Sequence, residues 1–422
     1  MVYPRQRLYD VNHVGFARAV LAGKLNSPRS GGDETDVEAR FKKAFFAYTG
    51  IDHVVPLSRG RLAVYLSVKH TVTPIRRKVI MSPFTIFDVV NMVRLGGGVP
   101  EFIDTNPGTV HVSCSSLEQA IDKDTAAVIV THYHSTNREI EAIAQLCRTR
   151  RVALIEDCAI SLGGRMDGKH VGSFGDFAIF SFGLFKFVST YLGGALVVRD
   201  PDTRAAVEGK LAAWPRMQTR DLAPHAVTGV KLSVLTNPVM FDHFTFPLFR
   251  LGYLQNLEFI KKNAQNDPNP FLRHEFPNQF RRRPCLFQLR EFTRQLPLVE
   301  ADRRRRLENA IHYYRNFSGT NIDGLPEEPN QNTDCYLNFP VLLKVDRTAF
   351  VRQMMKAGFD LSIYYYRNCA EIEAFVEYEK KLPNVSNLVR RIVFFPVYPQ
   401  VDSDYIDQLT KKSCGLLTSL EH

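Results

Sequence analysis

Short apolar runs alternate with amphipathic stretches along the first half of the chain. The runs are rich in Val, Ile and Phe and are bordered by Gly, Asp or Pro, which is the pattern of buried β-strands. Seven such strands are predicted, over residues 53–56, 78–82, 99–103, 126–131, 152–155, 177–182 and 195–198. Most of the stretches between them place apolar residues at helical spacing. This alternation predicts an α/β fold with a mostly parallel sheet covered by helices.

Helical periodicity continues through the rest of the chain. The predicted helices cover residues 35–48, 62–69, 88–95, 117–121, 139–148, 286–314, 347–357 and 402–416. Further strands are predicted at 337–343, 361–365 and 392–396, so the C-terminal part should form a smaller α/β unit. Residues 1–34 have the composition of a polar arm. We therefore expect a large domain over residues 1–235 and a small domain over residues 236–422.

The composition is that of a soluble protein with more than one hydrophobic core. A chain of 422 residues is too long for one small domain, and its 45% hydrophobic and 23% charged residues are ordinary values. The net charge of +10 fits either a solvated basic surface or an anionic partner, such as a phosphorylated substrate or an acidic lipid surface. No aromatic-interleaved basic stripe, zinc-finger spacing or RNA-binding signature occurs, so nucleic acid is not expected as a partner.

The seven cysteines are scattered, and none of them forms a CxxC pair. A disulfide framework or a metal site is therefore not expected, and a reducing, cytoplasmic location is. The N-terminal residues lack the apolar segment of a signal peptide. No run reaches the ~18 apolar residues of a membrane span.

A Phe-rich insertion is predicted at about residues 232–285. Asp242, His243 and Arg250 interrupt its apolar run. One interpretation is a segment that packs on the body of the protein or on a second subunit. The other is a lid, or a weak membrane-surface contact, for a substrate with a greasy or phosphorylated tail. The four arginines at 303–306 are interpreted as the solvated face of a helix.

Residues with useful chemistry gather where the predicted strands end. Asp157 ends one buried strand, and Lys186 comes four residues after Phe182, which ends the next. Ligands of parallel sheets bind at the carboxyl ends of the strands. A carboxylate and a lysine at that edge suit a cofactor whose ring nitrogen needs an acid and whose aldehyde needs an amine, namely pyridoxal 5′-phosphate (PLP). Gly60 opens a predicted helix, and free N–H groups at such a start suit a phosphate.

Five stretches resemble the motifs of one known family. They are SRGRLAVYL, SPFTIFDVVNMV with GGVPEFID, THYHSTNREIEAI, IEDCAISLGGRMDGKHVGSFGDFAIFSFGLFK, and RRIVFFPVYPQVDSDYID. On these motifs the chain is identified as a member of the DegT/DnrJ/EryC1/StrS family, the PLP-dependent sugar aminotransferases of fold type I. The resemblance implies a mostly parallel seven-stranded sheet flanked by helices, followed by a smaller C-terminal α/β domain.

The resemblance also implies roles for individual residues. Lys186 matches the lysine that joins the aldehyde of the cofactor. Asp157 matches the acid that pairs with the ring nitrogen. Ser181 and the backbone at Gly60 and Arg61 match the positions that hold the phosphate.

Several positions around the cofactor depart from the family pattern. Arg61 stands where the phosphate turn has threonine, and the element whose asparagine reaches the cofactor of the other subunit is poorly matched around residues 283–287. Ile86 stands where an aromatic residue often stacks on the ring, and Phe84 or Phe87 is a candidate to replace that contact. Ile160 stands where the family has Gln or His. Phe187 stands where an asparagine commonly follows the lysine.

The function implied by the resemblance is transfer of an amino group, from glutamate as the expected donor, to a nucleotide-linked keto sugar in surface-polysaccharide or natural-product biosynthesis. Lys186 favours transamination, because relatives that are dehydratases have histidine at this position. The resemblance also implies a homodimer. Two alternatives stay open: an aminotransferase for a lipid-linked or other non-sugar ketone, motivated by the Phe-rich insertion, and a non-catalytic regulator, motivated by Ile160 and Phe187.

Overall fold

The computed structural model describes residues 1–27, 33–255, 257, 269–320, 322–363 and 366–420. All seven predicted strands are present and form one sheet. They are β1 Val54–Leu57, β2 Lys78–Met81, β3 Val99–Phe102, β4 Thr125–Thr131, β5 Ala153–Asp157, β6 Phe177–Ser181 and β7 Gly194–Val198. Their order across the sheet is β1-β7-β6-β5-β4-β2-β3. Only β7 pairs antiparallel with its neighbours, so the predicted mostly parallel sheet is confirmed.

Fourteen longer helices are present in the described residues. They are α1 His13–Leu21, α2 Glu34–Thr49, α3 Gly60–Thr71, α4 Phe87–Leu95, α5 Cys114–Ala120, α6 Ile140–Arg150, α7 Pro201–Ala212, α8 Thr219–Leu235, α9 Phe246–Leu254, α10 Leu286–Gln295, α11 Val299–Phe317, α12 Arg347–Lys356, α13 Pro383–Arg391 and α14 Ser403–Leu420. The short turn Pro238–Met240 and the π-helical segment Phe241–Thr245 connect α8 to α9.

The helices cover both faces of the sheet, as alternating strand residues require. Side chains such as Ile155 and Ile179 pack against α3, α4 and α7 on one face. Leu154 belongs to the opposite face, which α5 and α6 cover. Phe180 lies on that same opposite face and packs against α2 and α10. Neighbouring residues of one strand therefore point into different layers.

A second sheet forms the centre of the smaller α/β unit. Its strands, β8 Asn338–Leu342 and β9 Ile392–Pro396, pair antiparallel along five residues. Helices α11, α12 and α14 bury their apolar faces in the core next to this sheet. The predicted strand at 361–365 contributes only one bridge, from Ser362 to Phe394, and residues 364 and 365 lie outside the described part. The two units meet where Arg367–Asn368 pairs with Phe84–Thr85.

Two predictions are wrong, namely the unbroken helix at 286–314 and the polar N-terminal arm. The predicted helix at 286–314 is broken into α10 and α11 by the turn Leu296–Leu298, because Pro297 has no N–H to continue the helical ladder. The N-terminal residues are not a polar arm. Tyr3, Leu8 and Phe16 are buried against the body of the protein.

The run of four arginines is solvated only in part. Arg304 and Arg305 are exposed, but Arg303 and Arg306 are each only 5% exposed. Residues three apart share a helix face, so α11 turns these two guanidinium groups inward. The prediction of a wholly solvated face is therefore wrong. No helix in the described ranges is long and apolar enough to cross a membrane.

Candidate active site

A cavity of about 330 Å³ lies at the carboxyl ends of β4, β5 and β6. Such a volume lies within the range typical of small-molecule sites. All of the predicted site residues line it: Gly60, Arg61, Ile86, Asp157, Ile160, Ser181 and Lys186. The cavity therefore brings together predicted residues from four separate segments of the chain.

Asp157 is the last residue of β5, and its side chain lies on the cavity wall. One of its oxygens accepts the N–H of Ala159 at 3.0 Å. Burial raises the pKa of Asp157, and Lys186 acts in the opposite direction. A cation placed in the cavity next to this carboxyl would favour its ionised form.

The preceding residue, Glu156, points to the other face of the sheet and is fully buried. Its two oxygens accept the N–H groups of Gly172, Phe174 and Gly175 at 2.6–2.8 Å. His132 Nε2 lies 3.1 Å from the same carboxylate. Glu156 thus ties β5 to the 172–175 loop, which fixes the position of Asp157.

His132, Glu156 and Cys158 cluster closely enough to resemble a metal site. Hydrogen bonds account for this cluster instead. Glu156 is saturated by backbone donors, and His132 Nδ1 accepts the N–H of Asn137 at 3.2 Å. Burial raises the pKa of the Cys158 thiol well above its usual value, which favours its protonated form.

Lys186 lies in the loop that follows β6. The loop is shaped by a turn in which the N–H of Lys186 meets the carbonyl of Gly183 at 3.3 Å and by Phe185, whose φ is +62°. Burial lowers the pKa of Lys186 to about 8, although Asp157 raises it; Arg61 lowers it further. A substantial fraction of this amine is therefore neutral, and nucleophilic, near neutral pH.

The start of α3 also lines the cavity. A Cβ added to Gly60 would lie 2.9 Å from the Cβ of Ser181, and one added to Gly194 would lie 2.6 Å from the Gly60 nitrogen. These close approaches require glycine at both positions. No side chain in the described residues caps the first N–H groups of α3, which leaves them available to an anion.

The atypical positions around the cavity are apolar. Ile160 is 4% exposed, and Ile86 is half-buried at the start of α4. Phe84 and Phe87 do not line the cavity, so neither supplies the aromatic contact proposed for them. The aromatic side chains that do line it are Tyr133, Tyr191 and Tyr366.

Phe187 packs between two cores and lies under the guanidinium of Arg306, 5.1 Å from its ring centre. Arg306 donates to Asp302 at 2.7 Å and to the hydroxyl of Tyr9 at 2.5 Å. That hydroxyl donates to the other oxygen of Asp302 at 2.5 Å. The loop that follows β6 and carries Lys186, called the lysine loop below, therefore packs against a buried network of charged side chains.

Sequence reasoning missed several residues on the cavity wall, among them Tyr366, Arg59 and His225. Tyr366 arrives through the pairing of Arg367–Asn368 with Phe84–Thr85, a contact between distant segments. His225 lies on α8, in a stretch without a strand pattern. Only Arg59 carried a local signal, since it directly precedes the glycine that opens α3.

Comparison with known proteins agrees with this geometry. The profile of the DegT/DnrJ/EryC1/StrS aminotransferase family matches residues 29–220 and 292–412. The chain belongs to this family. The profile leaves residues 221–291 unmatched, which include most of α8, all of α9 and the start of α10.

Two named relatives match shorter parts of the chain than the family profile does. GDP-perosamine synthase of Escherichia coli O157:H7 is 31% identical over 38% of this chain and 44% of its own length. L-glutamine:2-deoxy-scyllo-inosose aminotransferase of Micromonospora echinospora is 31% identical over 46% of this chain and 44% of its own length. These matches span less than half of each relative. Helicobacter pylori PseC, an aminotransferase involved in pseudaminic acid biosynthesis, has the same fold, with a TM-score of 0.73, 15% identity and coverage of 99% of this chain and 100% of PseC.

Proposed function

We propose that the protein is a PLP-dependent aminotransferase that acts on a nucleotide-linked keto sugar. The observation that carries the proposal is the cavity that holds Lys186 and Asp157 on its walls and the open start of α3 at one end. An amine of lowered pKa, a carboxyl and an anion-binding turn are the three groups that PLP requires. The glycines at 60 and 194 leave the space that its phosphate needs.

Each group has a defined task. When bound, PLP supplies an electron sink for the carbanion that forms when a substrate loses its Cα proton. With PLP bound, the ionised carboxylate of Asp157 would stabilise a positive charge on the ring nitrogen, and that charge would in turn favour the ionised carboxylate. Lys186 Nζ, at its lowered pKa, takes the proton from the Cα of the donor and returns one to the carbon of the keto substrate.

The amino donor is glutamate or glutamine. Glutamate is the donor implied by the family resemblance. Glutamine is the donor that the name of the inosose aminotransferase of Micromonospora echinospora gives for that relative. Single-turnover conversion of the cofactor with each amino acid distinguishes them, and equal rates with unrelated amino acids would contradict both.

Absorbance spectroscopy tests the central proposal. Protein incubated with PLP should develop a visible band that Lys186→Ala abolishes and that borohydride reduction fixes as a covalent label on Lys186. Lys69→Ala, at the exposed end of α3, is the matched control and should keep the band. A wild-type protein that binds no PLP would exclude the enzyme and leave the alternative of a non-catalytic regulator.

A keto sugar is favoured over a lipid-linked ketone by the position of the Phe-rich segment. None of its described residues from 236 to 257 lines the cavity. The only cavity residue of α8 is the polar His225. Single-turnover screening of nucleotide-linked keto sugars against long-chain ketones separates the two, and faster reaction of the long-chain ketones would overturn this choice.

The outer face of α8 and α9 is best explained by a second copy of the chain. Large apolar side chains that are 37–66% exposed form this α8–α9 face: Val227, Val230, Val234, Leu235, Val239, Met240, Phe244, Leu248 and Leu251. Helices that bind membranes usually carry a Lys/Arg-rich face, but the exposed charged groups described between 224 and 255 are Lys231 and His243. An apolar face with so few charges resembles the interface of a permanent homodimer.

Light scattering after size exclusion tests this assignment. The wild type should be a dimer, and the double variant Val230→Asp with Leu248→Asp should be a monomer. Ile75→Asp, at a more exposed position that does not belong to the α8–α9 face, should stay dimeric. A monomeric wild type that sediments with phosphatidylglycerol vesicles would instead assign the face to a membrane surface.

A further inference from the structure

Helix α8 brings a titratable side chain to the cavity from outside the part that matches the family. The profile match ends at residue 220, in the first turn of α8, and His225 lines the cavity one turn later. The helix is held firmly against the lysine loop. A Cβ added to Gly229 would lie 2.9 Å from the ring of Tyr191, and His13 bridges Tyr191 and Ser233 at 2.9 and 2.7 Å.

Arg59 is positioned by the same unmatched segment. It precedes Gly60 and lines the cavity. Its guanidinium lies 4.7 Å from the ring centre of Phe280 and donates to the carbonyl of Gln279 at 3.3 Å. Its Nε is buried and has no hydrogen-bond partner among the described residues. No carboxylate in the described ranges pairs with it, so Arg59 offers a donor that a bound anion can use.

The charges around this end of the cavity leave a positive surplus. Arg61 and Arg273 both bind Asp88, at 2.5 and 2.8 Å, so one carboxylate serves two guanidinium groups. Asp221 lies 3.6 Å from Arg282. Burial and the nearby Arg61 lower the pKa of Arg59 to about 10, although Asp221 acts in the opposite direction. Burial, Arg59 and Arg61 lower the pKa of His225. An anion in the cavity would relieve this repulsion.

We infer that Arg59 and His225 form an anion subsite that binds the phosphate of the cofactor together with Ser181 and the N–H groups of α3. The inference rests on the proposed function. It assigns a binding role to the unmatched segment, which places His225 directly and orients Arg59 through Gln279 and Phe280. A phosphate dianion is the ligand that suits a guanidinium, an imidazole, a hydroxyl and a helix start.

The test compares PLP with pyridoxal, which lacks the phosphate. Dissociation constants for both are measured on protein stripped of cofactor. Wild type should prefer PLP strongly, and His225→Ala and Arg59→Met should each reduce that preference about tenfold or more, because each removes one charge-assisted contact. His225→Asn and Arg59→Lys keep a donor and should retain part of it. His243→Ala and Arg281→Met, outside the cavity, should retain all of it.

A second measurement reports on phosphate directly. Inorganic phosphate should raise the unfolding temperature of the stripped wild type, and the rise should be smaller in His225→Ala. PLP binding by wild type with an unchanged PLP-to-pyridoxal ratio in both variants would overturn the inference and leave the proposed function intact. Protection by a nucleoside diphosphate, but not by inorganic phosphate, would assign the subsite to the substrate and also overturn it. Absence of PLP binding in wild type would refute the proposed function itself.

Discussion

The lowered pKa of Lys186 gives a prediction that two substitutions should shift in opposite directions. Burial opposes the protonated amine, Asp157 supports it, and Arg61 opposes it. Asp157→Asn removes the supporting charge, so the pKa of Lys186 should fall below about 8. Arg61→Gln removes an opposing charge, so the pKa should rise above about 8.

The magnitude follows from the difference between the usual value of 10.5 and about 8. At pH 7.5 the amine is neutral in about a quarter of the molecules, compared with about one in a thousand for an unshifted lysine. The shift corresponds to about 3 kcal/mol that opposes the protonated form in the folded state. The unfolded chain binds more protons between these two pKa values. The free energy of unfolding of the cofactor-free protein should therefore rise with pH from about 8 to about 10.5. Below about pH 8 this gain in stability is absent.

Reductive methylation measures the titration of the Lys186 amine directly and needs no bound phosphate. Cofactor-free protein is treated with formaldehyde and cyanoborohydride across a pH series, and mass spectrometry quantifies the peptide that contains Lys186. The labelling midpoint should lie near pH 8 in wild type, lower in Asp157→Asn and higher in Arg61→Gln. A wild-type midpoint near 10.5, or a higher midpoint in Asp157→Asn, would refute the electrostatic reasoning.

Three further predictions concern the surroundings of the site. Gly60→Ala should weaken PLP binding, because the added Cβ would lie 2.9 Å from Ser181, at a cost of about 1–3 kcal/mol. The control is Gly209→Ala, whose added Cβ meets nothing within 4 Å and which should be neutral or stabilising by calorimetry. Asp302→Asn should lower the free energy of unfolding measured in urea by about 3–5 kcal/mol, because it leaves the buried Arg306 without its carboxylate partner. The control Glu308→Gln, on the exposed side of α11, should lower it by less than about 1 kcal/mol. Glu156→Gln should lower the melting temperature, because an amide cannot accept all three backbone N–H groups. Asp157→Asn should keep the melting temperature. Equal effects of the two substitutions would contradict a structural role for Glu156 and a chemical role for Asp157.

Much of the sheet could be predicted because its signal is local. A strand buried on both faces is a short apolar run, and the seven runs differ from the observed strands by one or two residues at their ends. The site residues on strand ends could be predicted for the same reason. Asp157 and Ser181 end β5 and β6, and the carboxyl ends of parallel strands meet at one edge.

The errors arose where tertiary contacts decide the outcome. Arg303 and Arg306 belong to the inward stripe of α11 with Leu307 and Ala310, and their burial depends on acceptors from distant segments, such as the carbonyls of Asp334 and Leu337. Tyr366 and His225 reach the cavity on elements whose sequence carries no signal for it. The broken helix, by contrast, could have been predicted from Pro297 alone.

Each proposed catalytic residue is next in sequence to a residue that a buried charged network holds in place. Asp157 follows Glu156, whose carboxylate is fixed by three backbone donors and His132. Lys186 precedes Phe187, which packs under Arg306 in its network with Asp302 and Tyr9. Such networks resist displacement, because loss of any partner leaves a buried charge unsatisfied. The backbones that carry the two reactive groups therefore stay fixed, which a pre-organised site requires.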